Sequence, residues 1–135
     1  DEALAADMLS AADIQRDRFS AARRLVKRYA GVCVLKGAGT LIAAAEMDTV
    51  WLCDRGNPGM ASGGTGDVLT GFIASLRAQG LSALDAARLG VWLHATVGDH
   101  VARRDGEIGL LATDLIPAAR AVLNRLIRPV QRARP

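Results

Sequence analysis

The amino-acid sequence predicts an α/β fold in which short strands come first and helices follow. Three observations support this prediction. Three short apolar runs lie between residues 32 and 53 and are separated by turn residues, as is typical of strands. Six of the fourteen glycines lie between Gly56 and Gly71, a concentration that marks a loop. From residue 65 onward, apolar residues recur at helical spacing.

Length and charge limit what the chain can be. Its 135 residues, half of them apolar, are enough for one domain with a core, which we predict at residues 1–128, followed by a basic tail at 129–135. The net charge of +3 comes from a few C-terminal arginines, and without them 13 basic residues face 14 acidic ones. These arginines are Arg125, Arg128, Arg132 and Arg134. A nucleic-acid partner is therefore not expected.

The first half of the chain predicts one helix and three strands. A helix is expected from Ser10 to Tyr29, because Ser10 and Asp13 form a capping signal before a helical apolar pattern, and Gly31 ends it. The first apolar run predicts a strand buried on both faces, and two more runs complete a meander. The predicted strands are residues 32–35, 41–44 and 50–53.

The second half predicts three helices. The first follows the glycine-rich loop immediately and is stopped by Gly80. The second opens at Ser82 and runs to about Arg103. The third begins near Thr113 or Asp114 and continues to residue 126, with Pro117 in its first turn, where the missing N–H of proline is not needed.

Two further features indicate the setting of the protein. Cys33 and Cys53 both lie in apolar runs and cannot build a disulfide framework, so a reducing, cytoplasmic location is expected. No apolar stretch reaches the roughly 18 residues that a membrane span needs. Because the chain opens on Asp1 and enters a helical pattern at once, we expect it to be a piece of a longer protein.

The segment from Asn57 to Leu69 is where we expect the chemistry. It is a glycine-rich loop that leads directly into a helix. Glycines let successive backbone N–H groups converge, and the first N–H groups of a helix have no internal partners, so this junction suits a phosphate. Asp67 places a carboxylate at the same point. We interpret Asp67 as the group that takes or orients the proton of a substrate hydroxyl while the N–H groups hold a phosphoryl group.

Asp67 also has a simpler interpretation, in which it only complements the helix dipole and contributes roughly 0.3 to 1 kcal/mol. The four glycines between Gly59 and Gly66 favour the functional one.

Known glycine motifs do not fit this loop. A Walker loop needs lysine where Asp67 stands, and the dinucleotide fingerprint needs glycine where Leu69 or Ile42 stands. A nucleophile elbow around Ser62 would need glycine in place of Met60. We therefore expect Ser62 to form hydrogen bonds within the loop.

Four other polar residues are candidate ligands. His94, Asp99 and His100 could suggest a metal site, but the two histidines are six residues apart on one helix and do not share a face. The histidines are therefore expected to be packed or solvated, and no metal site is predicted. Lys36 ends a strand just before a glycine-rich turn. It either meets a nucleotide there or reaches into water, and both interpretations stay open.

Two segments together resemble a known family. The loop from Asn57 to Leu69 and the Lys-Gly-Ala-Gly-Thr turn at residues 36–40 closely resemble the ADP-dependent NAD(P)H-hydrate dehydratases, repair enzymes related to the ribokinase-like superfamily. Residues 109–114, before the final helix, are similar to the same family, so the likeness spans nearly the whole chain. It implies the C-terminal portion of a ribokinase-like three-layer architecture, built on a parallel sheet with both faces covered.

The resemblance also implies a reaction. Family members use ADP or ATP, with Mg²⁺, to remove water from the hydrated nicotinamide ring of NADH or NADPH, by phosphorylating the ring hydroxyl and eliminating phosphate. Carried over by residue, Asp67 is implied as the catalytic residue, and Asp67 and Asn57 as substrate contacts. The implied nucleotide contacts are Lys36, Gly37, Ala38, Gly39, Thr40, Gly63, Gly64, Thr65 and Gly66. A homo-oligomer and an N-terminal epimerase domain in the full-length protein are implied as well.

Two other functions use the same loop. One is a ribokinase-like kinase that leaves a small alcohol phosphorylated. The other is a non-catalytic module that binds a nucleotide and turns nothing over. Binding of nucleic acid through the arginine tail is not expected, because the tail lacks interleaved aromatic residues.

Overall fold

The computed structural model describes residues 10–127, so the predicted tail at 129–135 lies outside the described residues. A 3₁₀ turn at Pro58–Met60 joins the strand-rich part to the helical part. The other elements are α1 (Ala11–Arg16), α2 (Arg18–Tyr29), β1 (Val32–Leu35), β2 (Thr40–Ala44), β3 (Val50–Cys53), α3 (Thr65–Ala78), α4 (Ala83–Asp105) and α5 (Ala112–Ile127). The chain forms two compact units, one up to Leu52 and one from Cys53 onward. None of the helices in this range is both long enough and apolar enough to cross a bilayer.

The strands of the first unit form one sheet in the order β1-β2-β3, as the predicted meander requires. β1 and β2 are antiparallel, with Val32 opposite Ala44 and Leu35 opposite Leu41. The parallel pairing implied by the family likeness is therefore wrong for these two strands. Only four residues, 36–39, connect them, and a parallel pair needs a crossover of a dozen or more residues.

Burial is concentrated in the central strand of this sheet. Four consecutive residues of β2, Leu41 to Ala44, are buried, whereas every residue of β1 is only half-buried. The prediction of a strand buried on both faces is thus wrong for β1, which lies at an edge of the sheet, and it describes β2. Ala43 packs against Ala22 and Val26 of α2. Partial burial also raises the pKa of the Cys33 thiol in β1.

The predicted helix from Ser10 to Tyr29 is two helices. Asp17 adopts φ −144° and ψ 83°, outside the helical region, and its side chain accepts a hydrogen bond from the N–H of Ser20 at 3.0 Å. It therefore caps a new helix, α2, and the prediction of one continuous helix is wrong at this residue. Hydrogen bonds from Ser20 also hold the pKa of Asp17 below its ordinary value. Ser10 and Asp13 form the predicted capping box, at the start of α1.

The helices of the second unit pack around one apolar core. Its buried members come from α4, from α5 and from the segment between them, and they are Leu93, Val97, Val101, Leu110, Leu115, Ala118 and Ala119. Val68 and Phe72 of α3 pack against this core from its edge. Leu93 and Val97 of α4 are therefore core residues, and Phe72 of α3 packs against the core, as the helical spacing of apolar residues indicates.

The last helix starts earlier than predicted. Asp114 accepts a hydrogen bond from the N–H of Leu111 at 2.9 Å, which favours a helix start at Ala112. Pro117 therefore lies inside α5, and the prediction that places it in the first turn is wrong. Because proline has no N–H, the carbonyl of Thr113 lacks the usual helical donor.

A single glycine sets how closely α3 and α4 approach. A Cβ atom at Gly90 would lie 2.6 Å from Cγ1 of Ile73, far inside van der Waals contact. Gly71 of α3 is the opposite case, because a Cβ atom there meets nothing within 4 Å. The two positions therefore form a matched pair for testing the packing of these helices.

We expect Gly90→Ala to lower the free energy of unfolding by about 1 to 3 kcal/mol, because the added methyl group forces the two helices apart. Gly71→Ala serves as the control and is expected to raise stability by up to about 1 kcal/mol, since alanine favours a helix interior. Urea denaturation measures both. Equal stability of the two variants would contradict the close approach of α3 and α4.

Candidate functional site

The glycine-rich loop turns sharply where it enters α3. Gly64 is the N-cap residue of this helix and has φ +86°, in the left-handed region that favours glycine. A Cβ atom at Gly64 would also lie 3.2 Å from the Cβ atom of Ala112. Gly56, near the start of the loop, has φ +109°. The glycines at these two positions are thus required by the backbone conformation.

The first N–H groups of α3 are not used by the protein. Gly64 provides no side-chain cap, and the N–H of Asp67 is the first to donate back, to the carbonyl of Gly64 at 3.0 Å. Within residues 10–127, no hydrogen bond to a protein acceptor is found for the N–H groups of Gly63, Gly64, Thr65 or Gly66. Unpaired N–H groups at a helix N-terminus carry partial positive charge and attract anions. The N-terminus of α3 therefore favours an anion, and the predicted contact with a phosphate stays a prediction.

Asp67 lies in the first turn of α3 and its side chain is exposed. Within the described part of the chain, no hydrogen bond or ion pair to its carboxylate is found. The carboxylate is therefore accessible to a substrate beside the unpaired N–H groups. The same position also complements the helix dipole, so geometry alone agrees with both interpretations of Asp67.

Thr65 organises the loop with its side chain. The residue is buried, and its hydroxyl lies 2.9 Å from the carbonyl oxygens of both Met60 and Ser62. The side-chain hydroxyl of Ser62 is buried without a hydrogen-bond partner among the described residues. The prediction that Ser62 forms hydrogen bonds in the loop is therefore right for its carbonyl and wrong for its hydroxyl. The backbone N–H of Thr65 donates to none of the described residues, so it is the group of Thr65 that a ligand can use.

Asn57 is also engaged within the protein. Its Oδ1 atom accepts a hydrogen bond from the N–H of Gly59 at 3.1 Å, and its Nδ2 atom donates to Oδ1 of Asp99 at 3.1 Å. Oδ2 of Asp99 accepts a hydrogen bond from the N–H of Gly56 at 3.2 Å. Asn57 thus shapes the start of the loop, and its predicted contact with the substrate stays a prediction.

Three residues of α4 contact the loop. Nε2 of His94 donates to the carbonyl of Thr65 at 2.8 Å, and because a carbonyl can only accept, this nitrogen carries a hydrogen. A Cβ atom at Gly98 would lie 2.2 Å from Sδ of Met60, so only glycine lets the loop approach the helix here. Asp99, one residue further, holds the start of the loop.

The supporting role of α4 is not predicted from the sequence. His94 is expected there only as a packed or solvated histidine, and Asp99 has no predicted function. The spacing of four residues places positions 94 and 98 on one face of a helix, and position 99 lies about 100° further around the axis. Among residues 10–127, no group of three His, Cys, Asp or Glu side chains that could hold a metal ion is found.

The Lys-Gly-Ala-Gly-Thr turn belongs to the first unit, and Arg18 of α2 organises it. The guanidinium group donates to the carbonyl of Ala38 at 2.5 Å, of Leu35 at 3.0 Å and of Lys36 at 3.2 Å. Its Nε atom is buried without a hydrogen-bond partner in residues 10–127. No local pattern indicates this role, since Arg18 lies 17 to 20 residues from its partners.

The turn itself leaves its lysine accessible. The Thr40 hydroxyl donates to the carbonyl of Gly37 at 3.0 Å, and Gly37 and Gly39 have φ +142° and +66°. Lys36 and Ala38 are exposed. The predicted nucleotide contacts therefore fall in both units, with residues 36–40 in the first and residues 63–66 in the second.

Known proteins are similar to this chain in sequence. Residues 3–120 match the family described as NAD(P)H-hydrate dehydratase. The chain is 53% identical over 112 residues to the bifunctional NAD(P)H-hydrate repair enzyme of Vibrio cholerae, and the match covers 83% of this chain and 22% of that protein. The corresponding enzymes of Coxiella burnetii and Escherichia coli are each 50% identical to this chain. The chain thus spans less than a quarter of the length of these three relatives.

Solved structures share the fold. The ADP/ATP-dependent NAD(P)H-hydrate dehydratase of Bacillus subtilis, co-crystallised with ATP and Mg²⁺ and soaked with CoA, matches 84% of this chain and 42% of its own, with TM-score 0.78 and 32% identity. A ribokinase-like superfamily protein of Enterococcus faecalis matches 86% of this chain and 39% of its own, with TM-score 0.74 and 31% identity. The predicted α/β, ribokinase-like fold class is therefore confirmed.

We expect Gly64→Ala to lower the free energy of unfolding by about 1 to 2 kcal/mol, because alanine is strained in the left-handed conformation. Gly63→Ala adds the same methyl group to the adjacent residue, where φ is not left-handed and nothing lies within 4 Å, so little change is expected. Chemical denaturation of the two variants measures the difference. A Gly63→Ala variant as unstable as Gly64→Ala would contradict the described loop conformation.

Proposed function

The chain belongs to the NAD(P)H-hydrate dehydratase family, and we propose that the protein containing it uses a nucleotide to dehydrate hydrated NADH or NADPH. One observation carries the proposal. An exposed carboxylate, Asp67, lies in the same helical turn as N–H groups that no described residue accepts from, at Gly63 to Gly66. This pairing suits a reaction in which a phosphoryl group meets a hydroxyl.

The first step of the proposed reaction is phosphoryl transfer. The nucleotide supplies the phosphoryl group when it is bound. The N–H groups of Gly63 to Gly66 hold that group, and they stabilise negative charge that develops on its oxygens. Asp67 orients the ring hydroxyl and takes its proton as the hydroxyl oxygen bonds to phosphorus and the phosphoanhydride bond to the rest of the nucleotide breaks.

The second step is elimination. The C–O bond of the phosphorylated ring breaks, phosphate leaves with the former hydroxyl oxygen, and a neighbouring ring carbon loses a proton. Phosphate is a much better leaving group than hydroxide, which is why a nucleotide is needed to remove water from the ring. The products are reduced NADH or NADPH, inorganic phosphate, and AMP when ADP is the donor.

The residues present fit a nucleotide phosphate better than they fit a metal ion on its own. Unpaired N–H groups at residues 63–66 suit phosphate oxygens, and exposed Lys36 supplies a positive charge in its own unit. We propose that the turn at residues 36–40 contacts the nucleotide. Mg²⁺ is often held by one or two carboxylates together with phosphates, so we propose that it arrives with the nucleotide.

The proposal extends beyond the chain itself. Since the relatives are several times longer, we propose that this chain acts as the C-terminal part of a larger enzyme. Because these relatives are bifunctional, we propose an N-terminal epimerase domain for that enzyme. A homo-oligomer and a cytoplasmic location stay predictions.

We expect Asp67→Asn to lower kcat by about 10² to 10⁴, because a positioned base typically contributes that much. The affinity for ADP should hold or improve, since a negative charge beside the phosphate site is removed. The assay mixes hydrated NADH with ADP in the full-length enzyme and follows recovery of absorbance at the reduced nicotinamide band. Titration calorimetry gives the affinity for ADP.

Asp85→Asn is the matched control. Asp85 occupies the first turn of α4, as Asp67 does in α3, and lies beside the N-cap residue Ser82. A role limited to the helix dipole would give the two variants similar, small effects, and would contradict the proposal. A wild-type enzyme that accumulates a phosphorylated substrate without recovery of absorbance would indicate a kinase instead.

A further inference from the structure

Asp99 is the described side chain that connects α4 to the start of the glycine-rich loop by two hydrogen bonds. Oδ2 accepts from the N–H of Gly56 at 3.2 Å, and Oδ1 accepts from Nδ2 of Asn57 at 3.1 Å. The amide oxygen of Asn57 in turn accepts from the N–H of Gly59 at 3.1 Å. Three consecutive contacts therefore fix the backbone between Gly56 and Gly59 to the helix.

We propose that Asp99 is a positioning residue that holds the phosphate-binding loop in shape, and that it acts through the polarity of these hydrogen bonds and not through its charge. The inference rests on the proposed function, because it concerns the same loop. It adds a residue that touches neither phosphate nor substrate and that acts through Asn57 and the loop backbone.

A series of contacts along the loop connects Asp99 to the unpaired N–H groups. Gly59 leads into Met60, whose side chain packs against Gly98 on the same helix. The carbonyl of Met60 accepts a hydrogen bond from the hydroxyl of Thr65, which belongs to the first turn of α3. A displaced Asn57 therefore moves the end of the loop that carries the unpaired N–H groups.

The hydrogen-bond pattern predicts which substitutions break this connection. In Asp99→Asn, one amide oxygen replaces two carboxylate oxygens, so either Gly56 or Asn57 meets an NH₂ group where it needs an acceptor. In Asn57→Asp, two carboxylates face each other across the contact. Each single variant therefore loses one contact of the three and creates a repulsive one.

The double variant, Asp99→Asn with Asn57→Asp, exchanges the two side chains and restores the pattern. The amide introduced at position 99 accepts from the N–H of Gly56 with its oxygen and donates to the carboxylate introduced at position 57. The second oxygen of that carboxylate accepts from the N–H of Gly59. Net charge and the number of hydrogen bonds are then the same as in the wild type. A positioning role predicts recovery in this variant.

The test measures the dissociation constant for ADP by titration calorimetry, with the full-length enzyme and its variants. We expect Asp99→Asn and Asn57→Asp each to weaken ADP binding roughly tenfold to a hundredfold, as loss of a charged hydrogen bond suggests. The exchanged double variant is expected to bind within about threefold of the wild type. Asp105→Asn, which removes the same charge from the exposed end of α4, should bind as the wild type does.

Two results would overturn the inference. One is a pair of single variants with lowered melting temperatures and unchanged ADP binding in the folded fraction, which indicates a purely structural role. The other is a double variant that folds and binds no better than the single ones. If these variants do not fold, Asp99→Glu is the decisive variant, since it keeps the charge and displaces the carboxylate. Weakened ADP binding in Asp99→Glu supports the inference, and unchanged binding overturns it.

The same experiment separates this inference from the proposed function. A wild-type enzyme that binds ADP but never restores absorbance from hydrated NADH contradicts the proposed function alone, and the series of dissociation constants still tests Asp99. A wild-type enzyme that binds neither ADP nor ATP contradicts both.

Discussion

The open N-terminus of α3 is the constraint on which the site depends. Its N-cap residue, Gly64, has no side chain to satisfy the first N–H groups, and unsatisfied N–H groups favour an anion over any neutral group. A self-capped helix, such as α4 with Ser82, would be more stable alone but would offer nothing to a phosphate. The helix thus lacks a side-chain cap at the point where we propose that a phosphate binds.

A loop without regular structure must be held in place from outside, and α4 does this. His94, Gly98 and Asp99 of this helix contact different parts of the loop. To hold the loop, α4 must itself be fixed in place. Its buried residues do this, because they lie in the core that α4 shares with α5. One helix therefore belongs both to the core and to the support of the loop, so under our proposal residues that do not touch the nucleotide affect where the N–H groups lie.

Local chemistry was predictable from the sequence, and contacts between distant residues were not. The three strands, the glycine-rich loop and the exposed Asp67 follow from periodicity and glycine content, which act over a few residues. The break at Asp17 was missed because its capping side chain lies inside a continuous apolar pattern. Arg18 and Asp99 were missed because their partners lie about 20 and 43 residues away, and only the folded chain brings them together.

The polar side chains of the predicted site divide into two groups. Asn57, Thr40 and Thr65 make hydrogen bonds to the backbone of their own segments, so their main contribution is to build the turns. Asp67 and Lys36 are exposed, and the N–H groups at residues 63–66 have no acceptor among the described residues. Under the proposed function, each of these two segments would therefore contact a ligand mostly through backbone atoms and one charged side chain. Their many glycines and threonines reflect the conformation that presents those atoms, because a loop that binds through N–H groups tolerates few other residues.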